Sequence, residues 1–316
     1  MWEECPRRRS ERPPPLSDLA ETRASSGART EAAAPAVALA TCAEMPDLDD
    51  EARLLAGALQ SVGLVARPAV WTDPNIHWAD FGLVVIRLTW DYIFRREEFV
   101  TWVRSLPLVA NPADILVWNT DKRYLADLMR AGAPVIPTRF IGPGDRVDLP
   151  EGEIVVKPTV SAGSIDTSLY GPDEMVAASD HVRALQLEGR TAMVQPYRAT
   201  IDDEAETGLV YLGQRFSHAI RKAPMLRKQP RSIPGHIRDH VITARSATAA
   251  ELEVAEAVLD AMPGGRERLL YARVDLVPGP SGPELMELEV TEPDLYLGLE
   301  DGAPQRLAEA IAELLR

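Results

Sequence analysis

The sequence predicts a chain in two parts, a parallel α/β unit followed by an α+β unit built on antiparallel strands. Three observations carry this reading. Apolar strand-like runs alternate with helical spacing between residues 36 and 106, the run Leu83–Leu88 is apolar almost throughout, and strand patterns dominate beyond Pro112. Strands alternating with helices give βαβ units and a parallel sheet, and a strand apolar on both faces belongs inside such a sheet.

The elements follow in order. Residues 1–35 hold five prolines, six Arg against six acids and no apolar periodicity, so they read as a disordered leader. They lack the continuous apolar core of a signal peptide and carry too many acids for a transit peptide. Ala36–Thr41 is a short apolar strand, residues 42–49 a turn, and residues 49–62 a helix with Leu54, Leu55, Ala58, Leu59 and Val62 in helical spacing. Residues 64–70 and Leu83–Leu88 are further strands, and 97–106 a short helix. Ligands of parallel sheets sit at the carboxyl ends of strands, which marks residues 41–44 and 87–92. Residues 121–130 are expected as a helix capped by Thr120 or Asp121 and ended by Gly132 and Pro134. Strands are then expected at 154–156, 192–195, 208–212, 216–220, 270–277 and 284–290, with helices over 251–262 and 303–315. The expected units are 36–115, 116–200 and 201–316.

Composition narrows the function. No apolar run approaches the roughly 20 residues that span a bilayer. Two cysteines, Cys5 and Cys42, cannot build a disulfide framework, which fits a reducing, cytoplasmic setting. A formal charge of −14 opposes nucleic-acid binding, which needs clustered Lys and Arg. Only four of the 34 basic residues are lysines, namely Lys122, Lys157, Lys222 and Lys228. In a chain so biased toward Arg, each lysine draws interest.

The last two strands can be read in register. With the turn centred near Ser281, Asp275 lies across from Glu287 and Arg273 across from Glu289, while Ala272, Val274, Leu276, Met286, Leu288 and Val290 form the apolar face. Three carboxylates on one sheet face need a cation or water. Magnesium fits, because it takes one or two carboxylates and completes its shell with water and phosphate oxygens. A solvated strand face fits as well.

Lys157 ends an apolar strand and is followed by a loop rich in small hydroxyl residues, whose N–H groups could fold over a phosphate. A snorkelling edge lysine is the alternative. Lys122 sits in the expected first turn of a helix, against the macrodipole, unless a phosphate binds there or the side chain is fully solvated. A two-residue turn at Gly213-Gln214 pairs Leu209 with His218 and Glu206 with Arg221. His236 and His240 have i,i+4 spacing, but no Glu follows His236, so a zinc site is not expected. Cys42, just after a strand, is not expected to be a nucleophile.

In this order the motifs resemble the ATP-grasp superfamily: Asn119-Thr-Asp-Lys122-Arg-Tyr-Leu125, Val156-Lys157-Pro158, Val194-Gln-Pro-Tyr197, the Glu206 strand, Arg273-x-Asp275 and Glu287-x-Glu289. Residues 41–44, Arg87-x-x-Trp90-Asp-Tyr92, 216–222 and 287–293 are most similar to the branch containing the D-cycloserine-forming ligase. The resemblance implies an ATP-grasp fold preceded by a Rossmann-like domain at 36–115, a small subdomain at 116–200 and a large, metal-bearing subdomain at 201–316. It implies that Lys122 and Lys157 contact ATP, that Ser161, Gly163 and Ser164 belong to a phosphate-covering loop, and that Gln195 and Tyr197 hold adenine. Glu206 would hold the ribose. Asp275, Glu287 and Glu289 would hold magnesium, with manganese as an alternative, although many members carry Asn where Glu289 stands. Arg273 would stabilise the acyl-phosphate charge.

Arg87, Trp90, Asp91, Tyr92, His218 and Arg221 are the candidate contacts to a small amino-acid-like substrate. Arg87 and Arg221 could clamp a carboxylate and Asp91 could hold an amine, while Trp90 and Tyr92 also suit a core. The implied activity is an ATP-dependent carboxylate–amine ligase, with a small-molecule kinase or a non-catalytic ATP sensor as alternatives. No nucleic-acid or membrane partner is expected, and a homo-oligomer is compatible.

Overall fold

The computed structural model describes residues 36–223 and 241–316. The expected leader at 1–35, Lys228 and the His236/His240 pair lie outside the described residues.

The chain opens with β1 (Ala36–Thr41), α1 (Asp50–Ser61), β2 (Val65–Val70), β3 (Leu83–Leu88), α2 (Arg96–Ser105) and β4 (Val109–Ala110). These strands form one sheet in the order β2-β1-β3-β4, parallel at every pairing. Asp49 starts α1 by accepting from the Ala52 N–H at 2.7 Å, which satisfies one of the helix's free donors. All six residues of β3 are buried. One face of the sheet packs Leu39 and Val85 against Leu55 and Leu59 of α1 and Ile311 of α8 (Ala303–Leu314). The other packs Val84 and Ile86 against Phe99 and Trp102 of α2.

Beyond β4 the sequence reading needs correction. Instead of one helix over 121–130 there are two, α3 (Ala113–Asn119) and α4 (Tyr124–Arg130). The Asp121 carboxylate accepts from the Arg123 N–H (3.0 Å) and from its guanidinium, a local turn that competes with helix formation. The Lys122 N–H donates to Thr159 O at 2.8 Å. Lys122 therefore stands buried in the turn between two helices, one residue before the N-cap of α4.

β5 (Arg139–Ile141), β6 (Ile154–Pro158), β7 (Ser168–Tyr170) and β8 (Ala192–Pro196) make an antiparallel sheet in the order β5-β8-β6-β7, covered by α5 (Met175–Leu187). The sequence reading missed α5, although Ala178, Val182 and Leu185 have the i, i+4, i+7 spacing of its buried face. After the short α6 (Ile201–Glu204), strands β9 (Glu206–Leu212), β10 (Arg215–Lys222), β11 (Ile242–Arg245), β12 (Tyr271–Gly279) and β13 (Gly282–Glu289) form an antiparallel sheet in the order β11-β10-β9-β12-β13. The helix α7 (Ala249–Ala261) begins with a capping box between Thr248 and Glu251.

Alternation along β9 and β12 sends Leu209, Tyr211, Ala272 and Val274 into a core with α4 and α7. On the opposite face, Val210, Leu212 and Tyr271 join the core beneath the parallel sheet. The rest of that face, with Glu206, Arg273 and Asp275, is charged. A strand face that changes from apolar to ionic part-way along positions a site there.

Candidate active site

A cavity of about 750 Å³ opens between the two antiparallel sheets and the ends of the parallel strands. Lys157 and the loop after β6 line one side, with Gln195 and Tyr197 at the end of β8. Lys122, Glu206, Lys222, Arg273, Glu287 and Glu289 line the floor, and Trp90, Asp91 and Tyr92 contribute from beyond β3.

The floor is an ionic lattice. In β12–β13, Asp275 pairs with Glu287 and Arg273 with Glu289, as the sequence register has it. Arg273 Nε and Nη2 donate to Asp275 Oδ1 (2.9 Å) and Oδ2 (3.0 Å), and Arg273 also pairs with Glu289. Lys222 Nζ reaches Asp275 Oδ2 at 2.7 Å and pairs with Glu206. Lys122 Nζ lies 3.0 Å from Glu287 Oε1 and donates to Ser161 O at 2.6 Å. Lys157 has no ion pair among the described residues, and burial pulls its ammonium down, reinforced by nearby Lys122 and opposed by Glu287.

These neighbours set the charges. Burial raises the Asp275 carboxyl, but Arg273 and Lys222 outweigh it and hold it at about 2. Glu206 is pushed up to about 7, mainly by burial with Lys222 opposing. Burial likewise lifts Glu289 to about 7 against the pull of Arg273, and lifts Glu292 to about 8 with added repulsion from Glu289. The floor thus carries four carboxylates, Glu206, Asp275, Glu287 and Glu289, against three cations, Lys122, Lys222 and Arg273. Surplus negative charge in a desolvated site favours protonation or a further cation.

The remaining sequence candidates divide. Ser161, Gly163 and Ser164 line the cavity, Gln195 Nε2 donates to Thr138 Oγ1 (2.9 Å), and the Tyr197 hydroxyl donates to Asp202 (2.7 Å). Asp91 lines the cavity while accepting from Trp71 Nε1 at 2.7 Å. Tyr92 serves wall and core together, with its ring 4.8 Å from that of Phe99. Asp275, wholly buried, sits behind Lys222 and Arg273.

Three candidates are not brought to the cavity. Arg87 is 2% exposed, its guanidinium held by Glu51 Oε1 (2.7 Å) and Pro293 O (2.8 Å), because β3 ends inside the fold. His218 is buried and donates from Nε2 to Leu295 O at 2.9 Å. Arg221 is exposed and donates to Asp203 O at 3.0 Å. The cause is a bulge. Phe216 pairs with Tyr211 but His218 with Val210, so Ser217 is the extra residue and everything beyond it changes face. Glu206 is therefore opposite Lys222 and not Arg221, and Lys222 is the cavity residue that the sequence reading passed over. Its rarity as one of four lysines was the available signal. Glu292, Asp294 and Tyr296 also line the cavity and were not singled out.

Among the described residues, no three acids, histidines or cysteines form a ready cage for a metal ion. The donors nevertheless suit magnesium. Glu287 and Glu289 present carboxylate oxygens to the cavity beside surplus negative charge, and magnesium needs only one or two such ligands when phosphate oxygens complete its shell.

Two antiparallel sheets closing on a cavity floored with lysines, an arginine and carboxylates define an ATP-grasp protein, and solved structures agree. A RimK domain ATP-grasp protein from Sphaerobacter thermophilus is 18% identical with a TM-score of 0.60, covering 88% of this chain and 99% of that one. The D-alanine–D-alanine ligase of Bacillus anthracis in complex with ATP is 14% identical with a TM-score of 0.59, covering 89% and 97%. Closer likeness exists to D-cycloserine synthetase DcsG, whose crystal structure is 32% identical with a TM-score of 0.80, covering 89% of this chain and all of that one. The cycloserine biosynthesis protein DcsG of Streptomyces lavendulae is 34% identical over 299 residues, covering 89% of this chain and 99% of its own. Residues 37–119 match the family described as the D-cycloserine synthetase DcsG N-terminal domain. The chain belongs to the DcsG family and is an ATP-dependent ligase.

Proposed function

We propose that this ligase joins a carboxylate to an amine on a small amino-acid-like metabolite, through an acyl phosphate. The observation that carries the reading is the floor lattice, where Arg273 and Lys222 converge on Asp275 while Lys122 meets Glu287. Phosphoryl transfer needs cations preorganised around the transferring group more than it needs a protein nucleophile.

In the proposed sequence a substrate carboxylate oxygen attacks the γ-phosphorus, the bond to the bridging oxygen breaks and ADP leaves. The amine nitrogen then attacks the acyl carbon, the C–O bond breaks, inorganic phosphate departs and the nitrogen loses a proton. Lys122, Lys157 and Lys222 grip phosphate oxygens, Ser161, Gly163 and Ser164 cover them, and Gln195 and Tyr197 border the adenine. Glu206, with its carboxylate held by Lys222, belongs to the charged floor in this scheme and not to the ribose. Arg273 meets charge developing on the acyl phosphate. Glu287 and Glu289, backed by Asp275, would hold magnesium, which offsets phosphate charge when bound. Trp90, Asp91 and Tyr92 border the small substrate. One sheet in each of 36–115, 116–200 and 201–316 supports a three-unit division, with α8 returning to pack on α1.

The decisive assay is magnesium-dependent ADP release across a panel of amino acids, with Asp275→Asn as control. Release that needs both carboxylate and amine supports the ligase. A stable phosphorylated product without amine dependence would indicate a kinase, and binding without turnover a sensor.

A further inference from the structure

The segment after β13, residues 290–297, is held by side chains from distant parts of the fold. Glu51 of α1, paired with Arg87, accepts from the backbone N–H groups of Leu295 (3.0 Å) and Leu297 (3.1 Å). Arg87 donates to Pro293 O, His218 to Leu295 O, and Arg273 Nη1 to Asp294 O at 2.7 Å. Pro293, Leu295 and Leu297 are buried, while Glu292, Asp294 and Tyr296 face the cavity. Two residues that sequence logic assigned to substrate, Arg87 and His218, instead brace this wall.

On the wall, Glu292 Oε2 is buried without a hydrogen-bond partner. A buried acceptor left without a partner is destabilising, and more so when charged. Lys122 and Arg87 are close enough to act on Glu292 electrostatically, but Lys122 is bonded to Glu287 and Ser161, and Arg87 bonds only through Nη2, to Glu51 and Pro293, while its buried Nε and Nη1 make no hydrogen bond to Glu292 or any other described residue. Burial raises the Tyr92 hydroxyl, on the side of the cavity formed by the parallel sheet, and the Glu292 charge adds to that rise. A compact cation with several N–H donors, entering from the cavity, matches such an acceptor.

We propose that Glu292 receives the ammonium group of the amino-acid-like substrate, on a wall positioned by the Arg87–Glu51 pair; the proposal rests on the ligase reading above. Glu292 touches substrate, and Arg87 and Glu51 are positioning residues. The full chain is assayed for ADP release with D- and L-amino acids in the presence of hydroxylamine as a separate attacking amine, and the best amino acid is compared with the same acid lacking its amino group. The wild type should prefer the amino acid by at least about 100-fold in kcat/KM, as sites built around a buried polar partner do. Glu292→Gln should raise the amino-acid KM on the order of tenfold or more, leave the KM for ATP within about twofold and flatten that preference, with Glu292→Asp recovering part of it. Glu51→Gln should raise the same KM by a smaller factor and change kcat little. Stabilisation of each variant by a non-hydrolysable ATP analogue, matched to the wild type, shows an intact fold. An unchanged preference in Glu292→Gln, or a raised magnesium requirement in its place, overturns the proposal while leaving the ligase reading standing. No ADP release by the wild type with any amino acid overturns the ligase reading, and the proposal falls with it.

Discussion

The two hairpins of the five-stranded sheet invite comparison, because each carries half of the ionic floor and each contains a bulge. In β9–β10 the turn residues Gly213 and Gln214 both have positive φ (55° and 71°), as a tight two-residue hairpin turn requires. The bulge at Ser217 follows almost at once, and every later residue of β10 exchanges faces. In β12–β13 the strands pair up to Gly279 and Gly282, and the bulge between Leu276↔Leu285 and Asp275↔Glu287 leaves Met286 as the extra residue. That added residue restores the register expected from a turn centred at Ser281, so the carboxylates meet as the alternation indicates. A one-residue slip moves a whole strand's side chains to the other face. Where the bulge falls decides which charges enter the cavity.

The comparison can be broken experimentally, beginning with the largest effect. Arg273→Ala should lower ADP formation by on the order of 1000-fold, because it removes a preorganised cation from the transferring group. Asp275→Asn should in addition destabilise the fold by about 3 kcal/mol in a denaturant melt, since Arg273 and Lys222 would lose a buried partner. Residual activity near the wild-type level in either variant would remove the second hairpin from the chemistry.

The first hairpin is tested by adjacent residues. Lys222→Ala should lower kcat/KM by about 100-fold or more, whereas exposed Arg221→Ala should stay within about twofold. The opposite ranking would mean that the bulge at Ser217 is misplaced. A smaller effect sharpens the contrast between the strands: Glu289→Gln should raise the magnesium concentration needed for half-maximal rate by roughly tenfold, as loss of a supporting ligand commonly does.

The smallest effect is on stability against pH. Burial depresses the His218 pKa below its usual 6.5, with the bond to Leu295 O opposing. The folded state therefore favours the neutral ring, so this contribution is complete above about 6.5 and is lost as pH falls through the depressed folded value. His218→Gln should flatten the acid side of the thermal-stability profile in that window. An unaltered profile would mean that His218 does not hold the wall as a neutral donor.

Much of this was legible along the chain. The apolar run Leu83–Leu88 indicated a buried parallel strand, and Lys122, Lys157, Arg273, Asp275, Glu287 and Glu289 all stand together on or directly behind the cavity surface. Less legible was α5, whose apolar positions are spread among Asp, His, Arg and Gln residues. The fate of Arg87 was not legible at all. It ends a strand, as a ligand-binding residue would, but its partners Glu51 and Pro293 lie 36 and 206 residues away in sequence.

The sequence by itself determined which residues alternate, where turns interrupt them, and hence that Arg273, Asp275, Glu287 and Glu289 would share one sheet face. Those are local properties, set by a side-chain period of two and by glycine, proline and aspartate in turns. Tertiary structure alone decided that Lys222 and not Arg221 enters the floor, that Arg87 and His218 brace a wall, and that Glu292 faces the cavity with an unbonded oxygen. A bulge, a buried guanidinium and an unsatisfied carboxylate depend on packing between strands far apart in the chain, and no local period encodes them.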